Sequence, residues 1–288
     1  MTPFPSRPRA SGFTLVEVVV VMLIFSVVIA MAAVITRGVT AAQKRALTAT
    51  RMAGVEAALI QFVQQQKRLP CPADGTQASA AVNAGIEGGR NAGTGCTGTM
   101  QNGVVPWRAL ALTESEASDG WDRRLTYRVF PALAADGGLD MSYCDPAGTG
   151  GLGAGNVCNT SCVSTAPLNC TPPSTFIGTK GLTVKNVAGT TVMDPAAAIN
   201  TGAAYVVISH GESGGGAYLN TGVLAVSTVG DGTEELRNYA SLPYVAGITF
   251  YVDDTTNDTV TTAHFDDILL RPSILSVASK AGLGPRAH

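Results

Sequence analysis

From Phe13 to Ile35 the chain is apolar at almost every position, with Thr14, Glu17 and Ser26 as the polar exceptions. About 23 residues at 1.5 Å each reach roughly 35 Å as a helix, enough to span the hydrocarbon core of a bilayer. A removable secretory signal has an apolar core of only ~7 to 15 residues and ends at a small-x-small site. This run is longer and continues without a break. Arg7 and Arg9 precede it and no acid accompanies them, so by the positive-inside rule the short N-terminal flank stays cytoplasmic.

Beyond the run the pattern becomes amphipathic. Val39, Ala42, Ala46, Ala49, Ala53, Ile60 and Val63 recur at threes, fours and sevens, Leu47, Val55, Leu59 and Phe62 widen the stripe, and Lys44, Arg45, Arg51, Lys67 and Arg68 fall between. The spacing predicts one helix from Phe13 to about Lys67, near 80 Å long at 1.5 Å per residue. A stripe so broad and rich in alanine suits packing on the protein's own sheet better than a coiled-coil seam. Pro70 and Pro72, on either side of Cys71, force extended backbone and end the helix.

A loop rich in Gly, Ala, Asn and Thr follows from Gly75 to Gly103, and Arg108–Leu112 reads as a short helix. Asp119-Gly120-Trp121-Asp122 forms a turn with Trp121 as a core anchor beneath it, and Arg124–Val129 alternates as a strand. Further strands are expected at Ala204–Ser209, Gly222–Val229, Gly247–Val252 and Phe265–Leu270. Hairpin-length connections make an antiparallel sheet the economical arrangement. Residues 132–200 show little periodicity and read as an insertion pinned by cysteines.

Composition narrows the class. Charged residues make up 14% of the chain and the net charge is −2, against a usual ~25% charged. No basic face for nucleic acid is indicated. The 33 glycines suit the long surface loops of an exported protein. Cys71, Cys96, Cys144, Cys158, Cys162 and Cys170 all lie beyond the apolar run, an even number on one side, as disulfides in an oxidising compartment require. Cys71 with Cys96 would close one loop, and the other four allow three pairings. Zinc is the competing reading for Cys144, Cys158, Cys162 and Cys170, although the paired short knuckles of structural zinc sites are missing.

Glu17 is the anomaly of the apolar run. A carboxylate at the centre of a membrane helix costs roughly 2.5 to 3.5 kcal/mol on insertion scales, so one within such a span implies a partner. Gly12, Phe13, Glu17 and the apolar run together resemble the precursors of type IV pilins and of the pseudopilins of type II secretion. Their leaders end in Gly, their mature chains begin with Phe, and Glu stands fifth. The resemblance implies cleavage after Gly12 by a prepilin peptidase, N-methylation of Phe13 and use of Glu17 in filament assembly. It further implies other pilin subunits, the peptidase/methyltransferase and an inner-membrane assembly platform as partners. Where many major pilins carry a helix-breaking proline this chain has Val34. The turn ending at Asp122 is similar to the Asp-x-Trp-Gly turn of many pseudopilin heads, with Asp122 in the last place.

Three other patterns bear on chemistry. Gly211-Glu212-Ser213-Gly214-Gly215 fits G-x-S-x-G, and Asp253 and His264 follow in the order of an α/β-hydrolase triad. A membrane-anchored periplasmic serine hydrolase using Ser213 and His264 is therefore the alternative function. The glycines after Ser213 are poor openers for the helix such an elbow needs, so a turn between strands is the better account. Asp253, Asp254, Asn257 and Asp258 cluster as calcium-type oxygen ligands without EF-hand spacing. Gly150 to Gly155 lacks the Lys-Ser/Thr of a phosphate loop.

The expected protein is α+β and type IV pilin-like, a long N-terminal helix on an antiparallel head with disulfide-pinned loops. Residues 1–12 form the leader, 13–36 the transmembrane and assembly half of the helix, 37–69 its amphipathic half and 70–288 the head. It is expected to be a non-enzymatic minor pilin or pseudopilin, single-pass in the bacterial inner membrane with its head in the periplasm. No cofactor is required, calcium at Asp253, Asp254 and Asp258 being the one candidate.

Overall fold

In the computed structural model the described residues are 15–97, 102–141, 176–227, 232–239, 250–257 and 264–284, with the side chains of 32–37 set aside. The chain divides into two compact units, Met1–Gln43 and Lys44–His288. Helix α1, Leu15–Gln66, runs through the boundary without a break. No proline interrupts it, and the Ser26 hydroxyl, polar within the apolar half, donates to the Leu23 carbonyl at 2.7 Å and so spends its proton inside the helix. The end of α1 is set by Lys67, whose φ of 58° leaves the helical region, and by Leu69, whose N–H turns to the Leu133 carbonyl at 2.9 Å.

The buried stripe of α1 is Thr48, Met52, Val55, Leu59 and Val63, at spacings of four, three, four and four. Ala42, Ala46, Ala49 and Ala53, expected on that face, are exposed. Ala49 and Ala53 lie one residue, about 100° of rotation, from buried Thr48 and Met52. What turns the helix is the Asp119–Asp122 turn: the Gly120 N–H donates to Thr48 Oγ1 at 2.9 Å, and Arg51 donates to the Asp119 carbonyl at 2.7 Å. A Cβ on Gly120 would stand 2.3 Å from the Lys44 carbonyl oxygen, so only glycine lets the turn reach the helix backbone.

The main sheet has the order β3-β4-β7-β9, built from β3 (Asn102–Val104), β4 (Thr126–Val129), β7 (Tyr205–Ser209) and β9 (Ile268–Leu270), and every neighbour is antiparallel. Period-two alternation divides its faces. Tyr127, Val129, Tyr205, Val207, Ile268 and Leu270 join the α1 stripe in the large core. Val206, Ile208 and Leu269 face a second, smaller core with Val184, Met193 and Tyr251. Those last three come from a second sheet ordered β6-β5-β8, of β5 (Val184–Lys185), β6 (Thr191–Met193) and β8 (Tyr251–Val252). In it β5 and β8 run parallel, contrary to the expectation of antiparallel pairing throughout. The pairing joins segments far apart in sequence, for which no hairpin constrains direction.

Several local expectations are corrected. Residues 222–227 form no strand, only an isolated bridge from Leu224 to Tyr218, and 228–229 lie outside the described residues. Residues 108–111 are turns and 112 is irregular, so no helix forms there. Trp121 is only half-buried with Lys44 near its ring, while Trp107 is the tryptophan in the core. The described parts of 132–200 bring Leu133, Leu139, Met141, Phe176 and Ile177 into the large core. A short C-terminal helix, α2 (Ile274–Lys280), adds Ile274, Val277 and Ala278. Ser273 caps it by accepting from the Ser276 N–H at 3.3 Å.

Cys71 and Cys96 are joined, with Cα atoms 5.5 Å apart. Their loop carries the hairpin of β1 (Arg90–Asn91) and β2 (Gly95–Cys96). Arg68 grips Glu87 in the same loop through two contacts, 2.6 and 3.1 Å, the bidentate geometry that suits guanidinium to carboxylate. Cys144, Cys158, Cys162 and Cys170 lie outside the described residues.

Candidate functional site

The N-terminal half of α1 presents its side chains outward. Every residue from Leu15 to Met31 is exposed, including Leu15, Met22, Leu23, Phe25 and Ile29 at more than half their area. An exposed apolar surface of this size on a soluble chain would be an aggregation liability, so its environment is lipid or protein. Glu17 lies in the first turn, where the positive end of the helix dipole favours a negative charge. Gly12 and Phe13 lie outside the described residues. Among the described residues no helix is long and apolar enough to cross a membrane.

A second site lies in the head, on the sheet face away from α1. The turn after β7 sets Ser213 close to residues that precede β9. Gly211, with φ of 52°, allows this turn, since a Cβ there would stand 2.4 Å from the Asp266 carbonyl oxygen. Ser213 is 1% exposed; its N–H donates to Asp266 Oδ2 at 2.7 Å, and its Oγ lies 2.9 Å from Asp266 Oδ1 and 3.3 Å from Glu235 Oε1. His264 Nδ1 is 3.0 Å from Glu235 Oε2, which also accepts from the Gly232 N–H at 3.2 Å. Glu235, His264 and Asp266 are all buried, and one ligand-type atom from each lies within 4.8 Å of the others.

Burial, and after it the contact with the Asp266 carboxyl, push the Glu235 carboxyl up to about 8. An adjoining pair shares the same face: His210, 1% exposed, sets Nε2 2.9 Å from Thr126 Oγ1 and Nδ1 3.4 Å from Asp267 Oδ1. Burial raises the Asp267 carboxyl above its ordinary value. Asn238 completes the layer, donating to Asp267 and to the Val252 carbonyl.

The arrangement corrects the triad reading. Ser213 and His264 both reach Glu235, which stands between them, while Asp253 lies apart and pairs with Arg271. The segment after Ser213 opens into turns and no helix, so no nucleophile elbow is formed. Glu235 and Asp266 had no place in any motif; their pairing spans 31 residues and carries no local signal. The calcium reading changes too. Asp254 accepts from the Val187 and Thr255 N–H groups, which lower its carboxyl, while Asp253 is held by Arg271; neither belongs to the ligand-type cluster found among the described residues. Asp258 lies outside the described residues.

Residues 7–33 match the prokaryotic N-terminal methylation motif. The match supports the resemblance of this N-terminus to the precursors of type IV pilins and pseudopilins. Comparison with curated proteins and with solved structures gives no match. The motif covers only the start of the chain and leaves the head to be read from its own residues.

Proposed function

We propose that the chain is a structural subunit, a minor pilin or pseudopilin, of a type IV pilus or type II secretion filament. The observation that carries this reading is the methylation motif at residues 7–33 on a helix whose side chains from Leu15 to Met31 are all exposed. Before assembly the helix is held in the bacterial inner membrane as a single pass. Ala32, Ala33, Val34 and Ile35 extend the apolar sequence beyond Met31 to membrane-spanning length. The head then folds in the periplasm, where Cys71 and Cys96 oxidise.

Prepilin peptidase cuts after Gly12 and leaves an amine on Phe13, which is then methylated. Glu17 is four residues on, one helical turn, and meets that amine within its own chain or on a neighbour. Either charge alone is costly in a low-dielectric layer and the pair is favourable, so pairing between subunits favours one register of stacking. The head takes no catalytic part. Its size favours a low-abundance or tip-region position, because a bulky head packs poorly in a repeating shaft.

Intact-mass measurement of the protein from cells with a prepilin peptidase tests the reading. The expected species lacks Met1–Gly12 and carries one added methyl group. Retention of the first twelve residues would refute it.

A further inference from the structure

We propose that Glu235, His264 and Asp266, together with the Ser213 hydroxyl, bind a divalent transition-metal ion of the zinc class inside the head. The three ligand-type atoms converge within 4.8 Å. A tetrahedral zinc ion with bonds of ~2.0 to 2.2 Å sets its ligands roughly 3.3 to 3.5 Å apart. Glu235 Oε2 and His264 Nδ1 at 3.0 Å, and Ser213 Oγ and Glu235 Oε1 at 3.3 Å, need little movement to reach that spacing.

Donors and acceptors give an independent reason. The Ser213 hydroxyl has a single proton, yet three acceptors crowd it: Asp266 Oδ1, Glu235 Oε1 and the His210 carbonyl. The Asp266 N–H also donates to Glu235 Oε1 at 3.3 Å, so both acidic residues meet at the Ser213 hydroxyl. Among the described residues no lysine or arginine pairs with either. A buried site with more acceptors than protons needs a positive charge at its centre, either a proton or a cation.

The donor set selects the cation. Calcium takes six to eight oxygen ligands, whereas an imidazole with carboxylates suits zinc and its neighbours. The ligands are oriented from outside, Asp266 by the Ser213 N–H and Glu235 by the Gly232 N–H, the outer contacts that metal sites commonly use. The ion would join the turn after β7, the 3-10 turn Glu235–Asn238 and the segment before β9.

The test uses the full-length chain in detergent, stripped with a chelator and titrated with Co2+. One equivalent of Co2+ should give the intense visible absorption of four-coordinate cobalt, Zn2+ should displace it, and Zn2+ should raise Tm. Glu235→Gln and His264→Gln should each weaken binding by about 100-fold or more, beyond the 10- to 100-fold typical of an outer-shell partner. The wild-type titration decides even if a variant fails to fold. No uptake of Co2+ or Zn2+, uptake of Ca2+ in their place, or full uptake by a folded His264→Gln chain would each overturn the site.

Discussion

Asp119 is 1% exposed and still fully engaged: Oδ1 accepts from the Trp121 and Arg123 N–H groups and Oδ2 from Ser209 Oγ at 2.8 Å. Burial raises its carboxyl above the ordinary 3.8, and the hydrogen bonds only partly oppose that shift. A folded-state pKa above the unfolded one means the folded chain holds the proton more tightly. The resulting stability is complete below 3.8 and is lost as pH rises through the raised value. Asp119→Asn keeps an acceptor for both N–H groups and removes the charge. Urea denaturation from about pH 4 to 7 should therefore show a flatter profile for the variant than for the wild type; parallel profiles would mean that the carboxyl titrates normally. Arg124 shows how a buried charge is accommodated. It is 1% exposed and donates to Glu114, to the Gly75, Gln77 and Asn220 carbonyls and to Ser79, with its guanidinium 5.0 Å from the Trp107 ring centre.

Among the elements, α1 contributes most of its packing through five positions. Leu59 is fully buried in that row, so Leu59→Ala should cost about 2 to 5 kcal/mol by loss of transfer energy and creation of a cavity. Ala53→Ser, one rotation away on an exposed position, should leave the denaturation midpoint nearly unchanged, and equal effects would mean that the stripe has been misassigned. The loop closed by Cys71 and Cys96 spans a separation of 25 residues. Its chain-entropy contribution is about 3.5 kcal/mol. The double variant Cys71→Ser, Cys96→Ser should lower folding stability by about that amount in denaturant titration, and reducing agent should add no further loss attributable to this bond. Arg68 and Glu87 hold the same loop non-covalently, so the hairpin should survive in part.

For the whole molecule, the apolar half of α1 and the head meet different demands. The head buries a core through long-range sheet pairing, whereas the described side chains from Leu15 to Met31 remain exposed and require another surface. Glu17→Ala should insert in the membrane and lose its leader normally, because the substitution makes the run more apolar. Incorporation into sheared filaments should fall by about tenfold or more, consistent with losing a charge pair worth at least ~1.4 kcal/mol in a low-dielectric layer. Wild-type incorporation of the variant would remove Glu17 from the assembly mechanism.

Much of the helix and three of the four strands of the main sheet, β4, β7 and β9, could be read along the chain, because they follow from local properties. Unbroken apolarity followed by helical periodicity dictates α1, Pro70 and Pro72 stop it, alternation marks residues 126–129 as a strand, and a short β-branched apolar run marks 205–209. The methylation motif is likewise continuous in sequence. Other features depended on packing. Alanines and larger residues both met the helical period, and only the turn at Gly120 determined which row faced inward. Trp107 and Trp121 are alike as residues, and tertiary contacts put the first in the core. The convergence of Ser213, Glu235, His264 and Asp266 joins residues up to 53 apart, brought together by the order of strands in the sheet and by burial that no short window of sequence records. The sequence determined where the chain is apolar, where its long helix stops and that it opens with the methylation motif; tertiary structure decided which buried carboxyls share a space, since that depends on the simultaneous packing of several loops.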